Sequence, residues 1–377
     1  MVIPVVPYFD FVEANLAQRG ELFSAVARLL DSGAFMAGEE VAAFEDEFAA
    51  YLGVAHCVAV GSGTDAMCLA LTAMGAARQD LVLTAPNASP AVAGAVHQAG
   101  PRLEFVDVDP TTGLMDLNRL EDRLKDDMSA RPMAVIPVHL FGQCADMDGL
   151  DELSRRYEFL VLEDARQAHG AEQRGRKAGS FGAAAAFSFS PEKNLGALGQ
   201  GGAVTTSDAE LAKAVRQVRA QGLGVGFTGR VELADTQMDA LQAAALRVKL
   251  PKLDEANAKR RIVAAAYDKA FSGTGYTEPL AVMPGNSPNR HIYTIMIPDR
   301  DDMRAYLDEQ GIGTGVYYPV PLHLHPRLRK LGFRRGDFPE AEALALTTLS
   351  LPIRPELTAD QIANVVEAVR SFGGSMR

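Results

Sequence analysis

Cys57-Val58-Ala59-Val60-Gly61-Ser62-Gly63-Thr64-Asp65 is where the fold is decided. A short apolar run ends in a Gly-Ser-Gly turn, a helical pattern follows from Asp65 to Gly75, and a second apolar run begins at Leu81 and ends at Ala85. The same alternation continues outward. Apolar runs at Leu103–Val106, Met133–Val138 and Phe159–Leu162 are separated by stretches with helical periodicity, among them Asp146–Tyr157. Runs this short suit strands buried on both faces better than helices. Strands that alternate with helices are joined by crossovers, so the pattern predicts an α/β fold with a mostly parallel sheet between helices. Two further strands are expected at Ala183–Ser190 and Gly202–Thr205, then a helix from Asp208 to about Ala220.

The text changes after Asp239. Leu241, Ala244, Ala245, Val248 and Leu253 fall in helical register and a second helical stretch runs through Ala266 to Phe271, which together read as a connecting helix. A strand-like His291–Ile297, a helix near Asp301–Gln310, a Pro-rich stretch Tyr318–Pro326 and a final helix Thr358–Phe372 would make a smaller α+β domain. The expected division is a large α/β domain over 1–250, including the N-terminal segment, and a small C-terminal α+β domain over 251–377.

Composition narrows the function classes. In 377 residues, 37 Lys+Arg stand against 48 Asp+Glu, for a formal net charge of -11. That balance repels a phosphate backbone, and no run of five or six basic residues makes a local exception, so nucleic acid is not an expected partner. No apolar stretch approaches the ~20 residues that span a bilayer. Met1–Pro7 has no basic start before its apolar residues, so neither a signal peptide nor a membrane anchor is expected. Cys57, Cys68 and Cys144 are an odd set without C-x-x-C spacing, as expected of isolated thiols in a reducing compartment, with the cytoplasm as the default.

Three features carry chemistry. Gly61-Ser62-Gly63-Thr64 lies between a strand and a helix, where free backbone N–H groups and the positive end of the helix dipole suit a phosphate. The plain alternative is an ordinary turn with Ser62 or Thr64 as N-cap. Glu163-Asp164 ends the run Phe159–Leu162, and ligands of open α/β sheets collect beyond the carboxyl ends of the strands. A solvated loop acid is the other reading. Lys193 lies in Phe187-Ser188-Phe189-Ser190-Pro191-Glu192-Lys193-Asn194, followed by the Gly-rich Leu195–Gly202. A lysine partly desolvated there has a lowered pKa and can attack a carbonyl to form a Schiff base, whereas a surface lysine does neither.

Three lookalikes are set aside. Ser190-Pro191-Glu192-Lys193 matches S-x-x-K but lacks the accompanying S-D-N and K-T-G triplets. Gly224-Val225-Gly226-Phe227-Thr228-Gly229 matches G-x-G-x-x-G but follows a helix rather than the first strand of a βαβ unit, and reads as a loop. His323 and His325 have no Cys or second His cluster with them, so packing or substrate contact is preferred to a metal, and no metal is expected.

A phosphate turn, a strand-end aspartate and a glycine-embedded lysine, in that order, are the parts of a pyridoxal 5'-phosphate (PLP) enzyme. The chain resembles the DegT/StrS sugar-aminotransferase family, within the aspartate-aminotransferase-like fold (PLP fold type I). The resemblance covers almost the whole chain. It runs from Ser32-Gly33-Ala34-Phe35-Met36-Ala37-Gly38 through Pro137-Val138-His139-Leu140-Phe141-Gly142-Gln143 and Glu163-Asp164-Ala165-Arg166-Gln167-Ala168-His169-Gly170 to Lys193-Asn194-Leu195-Gly196-Ala197, Leu241-Gln242-Ala243-Ala244 and Tyr318-Pro319-Val320-Pro321-Leu322-His323. It implies that Lys193 carries PLP as a Schiff base and later shuttles a proton, and that Asp164 pairs with the ring nitrogen. It further implies that Ser62, Gly63, Thr64 and Ser188 hold the phosphate, that Gln167 lies near the ring's 3-oxygen, and that Asn194 belongs to the cofactor site. The implied reaction moves an amino group from glutamate, or glutamine, to a keto sugar that is usually nucleotide-linked. The implied assembly is a homodimer with a shared site, in which Ser32–Gly38 and the segment around Asp235 cross to the partner.

Three positions depart from the family pattern. Ser89 falls where an aromatic ring usually stacks on the cofactor, and no aromatic lies nearby in Asn87–Val92. Asp235-Thr236-Gln237 replaces Asn-x-Arg, so Asp235 brings a negative charge toward a phosphate. Arg166 stands where a small residue is usual, either recruiting a carboxylate or phosphate or facing solvent. Two further readings follow from these departures. One keeps the cofactor but alters the reaction toward a sugar dehydratase, although that route replaces the Schiff-base lysine, commonly by histidine, and Lys193 is retained. The other is a non-catalytic sensor or binding module on the same fold. The roles of His169, Tyr317, Tyr318 and His323 stay open between substrate contact and packing.

Overall fold

The computed structural model describes residues 6–36, 38–126, 131–221 and 236–375. The apolar runs form one seven-stranded sheet: β1 (His56–Val60), β2 (Leu81–Thr84), β3 (Arg102–Phe105), β4 (Ala134–Ile136), β5 (Leu160–Asp164), β6 (Ala184–Ser188) and β7 (Gly202–Thr206). Their order across the sheet is β1-β7-β6-β5-β4-β2-β3. From β6 through β5, β4 and β2 to β3 every pairing is parallel, and β7 alone runs against its neighbours β1 and β6. The reversal has a local cause. Parallel neighbours need a crossover, whereas the chain leaving β6 turns straight back into β7 through the Gly-rich stretch that holds Lys193. Topology thus leaves Lys193 at the same end of the sheet where β5 finishes in Asp164.

Side chains of adjacent residues point to opposite faces. On one face, Val82, Ala184 and Ala186 pack with Met67 and Leu71 of the helix Gly63–Ala73 and Val92 of the helix Pro90–Ala99. On the other, Ala185 and Phe187 meet Phe44 and Phe48 of the helix Glu39–Leu52. Leu81, Leu83 and Val135 meet Leu150 of the helix Met147–Tyr157 on that side. Phe187 and Phe189 stand edge-on to Phe48 at 5.0 and 5.3 Å, a geometry aromatic rings favour. These contacts anchor the chain just before the Lys193 loop.

The C-terminal part has a core of its own, and Val6 of the N-terminal segment, expected in the large domain, packs into it and bridges to Ile312. A three-stranded antiparallel sheet of Glu278–Pro279, Tyr293–Met296 and Thr348–Leu351 packs against the helices Leu253–Phe271, Arg300–Glu309 and Ala359–Ser375. The helix Pro339–Thr347 goes elsewhere, since its Ala341 and Leu344 join the core of the large sheet. The expected connecting helix is divided. Pro251 has no N–H to continue the ladder, and a 3₁₀ turn at Leu250–Lys252 separates Ala240–Lys249 from Leu253–Phe271.

Candidate active site

β1 runs into the phosphate turn. Ser62 is extended (φ -157°, ψ 166°) and caps the helix, its Oγ accepting from the Asp65 N–H at 3.2 Å and donating to Asp65 Oδ2 at 2.8 Å. Its hydroxyl proton is therefore committed to Asp65. What the turn offers a ligand is backbone, because the first-turn N–H groups of Gly63 and Thr64 have no acceptor within the helix and lie at its positive end. Gly63 has to lack a side chain: a Cβ there would lie 2.6 Å from Ser188 Cβ and 2.8 Å from Arg166 Cδ. Behind the turn, a Cβ on Gly202 would lie 2.3 Å from the Ser62 carbonyl oxygen. The Gly61 N–H donates to the Thr236 carbonyl at 2.6 Å.

At the end of β5 the two acids part company, as strand periodicity requires. Glu163 is fully buried and structural. It accepts from the N–H groups of Gly179, Phe181 and Gly182 at 2.6, 2.7 and 2.8 Å, and from His139 Nε2 at 2.8 Å. The tautomer is set by Ala145, whose N–H donates to His139 Nδ1 at 3.0 Å. Asp164 faces the cavity, where both its oxygens accept from the Arg166 guanidinium at 2.7 Å. Burial acts to raise the Asp164 carboxyl pKa, but the Arg166 charge and hydrogen bonds outweigh it and hold it below the usual range. Arg166 does not face solvent.

Gln167 is fixed from two sides, accepting from the Phe141 N–H at 2.8 Å and donating to the Tyr318 hydroxyl at 3.0 Å. Ser188 Oγ lies 3.2 Å from Ser190 Oγ, and Ser190 donates to Glu192 at 2.6 Å rather than addressing Lys193. Lys193 is largely withdrawn from water, its Nζ 3.2 Å from Glu192 Oε1. Burial lowers its pKa, and Glu192 only partly offsets that. An amine in this setting is closer to its neutral, nucleophilic form than a surface lysine.

Ser62, Gly63, Thr64, Asp164, Gln167, Ser188 and Lys193 line one cavity of about 310 Å³, together with Ser89, Arg166, Tyr317 and Tyr318. Asn194 does not line it. Its amide donates to Asn257 Oδ1 and the Asn289 carbonyl at 2.8 and 3.0 Å, and it lines a second cavity behind Lys193. His169 and His323 are buried packing residues: His169 lies against Phe187 and Phe189, and His323 pairs with Glu342 at 2.9 Å. Burial and the nearby Lys193 push His169 down to about 3, so it stays neutral. Asp235 and Gly224–Gly229 lie outside the described residues. Glu192 and Gln200 also line the cavity. Glu192 had a signal in its place beside Lys193, while Gln200 had none beyond its Gly-rich setting.

An anion cradle, a strand-end carboxylate and a desolvated lysine around one cavity, at the carboxyl end of a mostly parallel sheet, define a PLP-dependent enzyme with the aspartate-aminotransferase-like fold. More narrowly, the family model of the DegT/DnrJ/EryC1/StrS aminotransferases matches residues 17–370, and the chain belongs to that family. It is 40% identical over 369 residues to a dTDP-3-amino-3,4,6-trideoxy-alpha-D-glucose transaminase of Streptomyces venezuelae, covering 98% of this chain and 96% of that protein. It is 39% identical to a pleiotropic regulatory protein of Geobacillus stearothermophilus, covering 97% and 98%. The crystal structure of S. venezuelae DesV in complex with a ketimine intermediate superposes with a TM-score of 0.93 at 39% identity, covering 98% of each chain. Members of the family are PLP-dependent. The residues here fit that cofactor: Gly63 leaves room over Ser188, free backbone donors face the phosphate end, and a desolvated amine faces the same space.

Proposed function

We propose that this chain moves an amino group from glutamate or glutamine to a keto sugar carried on a nucleotide, as a PLP-dependent step in amino-sugar biosynthesis. One observation carries the reading, the convergence of Lys193, Asp164 and the helix start at Gly63 on a single cavity. PLP, when bound, supplies an electron sink for the carbanion formed at the amine-bearing carbon. The N–H groups of Gly63 and Thr64 and the Ser188 hydroxyl would hold its phosphate, Asp164 its ring nitrogen, and Gln167 the ring edge. Lys193 Nζ is the amine available both to attach the cofactor and, once released, to move a proton at the substrate carbon.

The S. venezuelae relative is named for a product bearing its amine at C3. A dTDP-linked 3-keto sugar is therefore the first acceptor to test. A homodimer belongs to the same reading, supported by exposed apolar side chains at Phe11, Val12, Leu16, Phe23, Phe35 and Met36, the last two in the loop expected to cross to the partner. A reducing compartment such as the cytoplasm is supported by three cysteines that are all buried and unpaired. The division near residue 250 is supported by the separate core around Tyr267, Tyr293 and Leu349, although Pro339–Thr347 crosses back to the large sheet and Val6 of the N-terminal segment joins the C-terminal core.

The test is absorbance of the purified protein with PLP, before and after glutamate, with borohydride trapping. The expected result is a Schiff-base band that glutamate bleaches and a trapped tag on Lys193. Lys193→Ala should fold and dimerise, lose the band, and lose transamination by on the order of 10²–10⁴ or more. No band at saturating PLP would sink the enzyme reading and favour the binding module.

A further inference from the structure

Arg166 turns the Nε/Nη2 edge of its guanidinium onto Asp164. Nε donates to Oδ1 and Nη2 to Oδ2, both at 2.7 Å, and the Arg166 backbone N–H adds a longer bond to Oδ1 at 3.3 Å. Both side chains are buried, 9% and 4% exposed. The arginine stem runs close to the phosphate turn, since its Cδ is the atom a Cβ on Gly63 would meet at 2.8 Å. Arg166 therefore extends from the phosphate end of the cavity to the carboxylate at the other end. The two residues are separated only by Ala165 at one strand end, so no movement between parts of the molecule pulls them apart.

We propose that Arg166 shares Asp164 with the cofactor's ring nitrogen and loosens that nitrogen's hold on its proton. The proposal rests on the cofactor reading above. A carboxylate has about four acceptor positions, so a planar arginine fork still leaves room for a ring N–H. The shared carboxylate is a weaker anchor for that N–H, however, because the guanidinium neutralises it and opposes a second positive charge beside it. Among the described residues, the other charged or titratable groups facing the cavity are Lys193 and Glu192 after β6, which pair with each other, and Tyr317 and Tyr318 from the C-terminal part. Behind Asp164, His139 directs its Nε2 proton to Glu163. Arg166 is thus the cation bound directly to the group that meets the ring nitrogen. It acts through Asp164, as a positioning residue that sets how strongly the ring draws electrons.

The test uses the full chain and ring-¹⁵N-labelled pyridoxamine 5'-phosphate, which forms no bond to Lys193, and follows the ring-nitrogen NMR shift against pH. Arg166→Gln should raise the pH at which the nitrogen loses its proton by about one to three units. Arg166→Lys keeps the charge but not the fork, and should fall between the two. If Arg166→Gln does not fold, Arg166→Lys carries the test. A merely structural arginine would move the thermal midpoint and leave the nitrogen's titration where it is. Coincident titrations in the folded variants would overturn the proposal and leave the cofactor reading standing, whereas failure of the unaltered chain to bind the probe would overturn both.

Discussion

The two ends of the cavity are built in opposite ways. At the phosphate end the backbone donors are local: an extended Ser62, its cap on Asp65, a glycine without a Cβ and two first-turn N–H groups lie within Ser62–Asp65, with Ser188 the distant contribution. At the nitrogen end Asp164, Arg166 and Gln167 are near neighbours in the chain, but they are completed from far away. Gln167 is fixed by Tyr318, 151 residues away, and Lys193 arrives on the loop that turns β6 back into β7. The electrostatics differ too. Backbone donors are dipoles and can be buried without a counter-charge, whereas the buried Asp164 carboxylate is neutralised by Arg166. The phosphate end should therefore be sensitive to volume and the nitrogen end to charge.

Asp164→Asn is the severest way to break that contrast. It keeps the shape but leaves the Arg166 charge uncompensated, and losing one partner of a buried pair costs about 3–5 kcal/mol. Turnover should fall by on the order of 10²–10³, as expected when an electrostatic partner of the reacting system is removed. In the unaltered protein the pair's contribution is present at neutral pH. It starts to fall as pH drops through the ordinary carboxylate range, where the unfolded carboxyl takes up its proton, and is gone once pH is below the lowered folded pKa of Asp164. Urea unfolding at neutral pH checks the stability. A variant within 1 kcal/mol of the parent would mean that charge does not hold this end together.

Gly63→Ala is the matching change at the phosphate end, and a smaller one. Its methyl would press on Ser188 Cβ and Arg166 Cδ, and overpacking of this kind costs about 1–3 kcal/mol. Cofactor affinity should drop by about tenfold if roughly half of that strain is relieved at the expense of the cradle. A titration with pyridoxamine 5'-phosphate reads the affinity directly. Greater loss of stability here than in Asp164→Asn would reverse the contrast.

The same contrast explains what could be read in advance. The seven strands were legible because buried strands are short apolar runs, and those expected at Leu81–Ala85 and Phe159–Leu162 differ from the observed β2 and β5 by one or two residues at their ends. Asp164 was legible from its position at a strand end, and Gly63 from the turn that joins a strand to a helix. The partner of Arg166 was not, because whether a guanidinium finds a carboxylate or water depends on how tightly the surroundings close. Nor was the direction of Asn194, which is set by Asn257 and Asn289 on distant segments. The helix Pro339–Thr347 was equally hidden, since its alanines and leucines could pack on either core.

Ser89→Tyr asks whether the wall between the two ends is complete, and its effect should be the smallest. Ser89 lines the cavity and caps the helix Pro90–Ala99, its Oγ accepting from the Ala91 N–H at 3.3 Å. Losing that cap should lower stability by about 0.5–2 kcal/mol. A new ring over the cofactor is worth about 0.5–1.5 kcal/mol, or roughly two- to tenfold in affinity. The two effects appear in different measurements, the thermal midpoint of the free protein and the dissociation constant of pyridoxamine 5'-phosphate. A lower midpoint with tighter binding means that the ring face is open and that stacking was given up at Ser89. A lower midpoint with unchanged binding means that the face is already covered from a distance, and Tyr318 is the residue to suspect. It lines the same cavity, is held by Gln167, and has a left-handed backbone (φ 55°) that a bulky side chain adopts only when its surroundings demand it. In that case the wall belongs with the nitrogen end, assembled by the fold rather than by neighbouring residues.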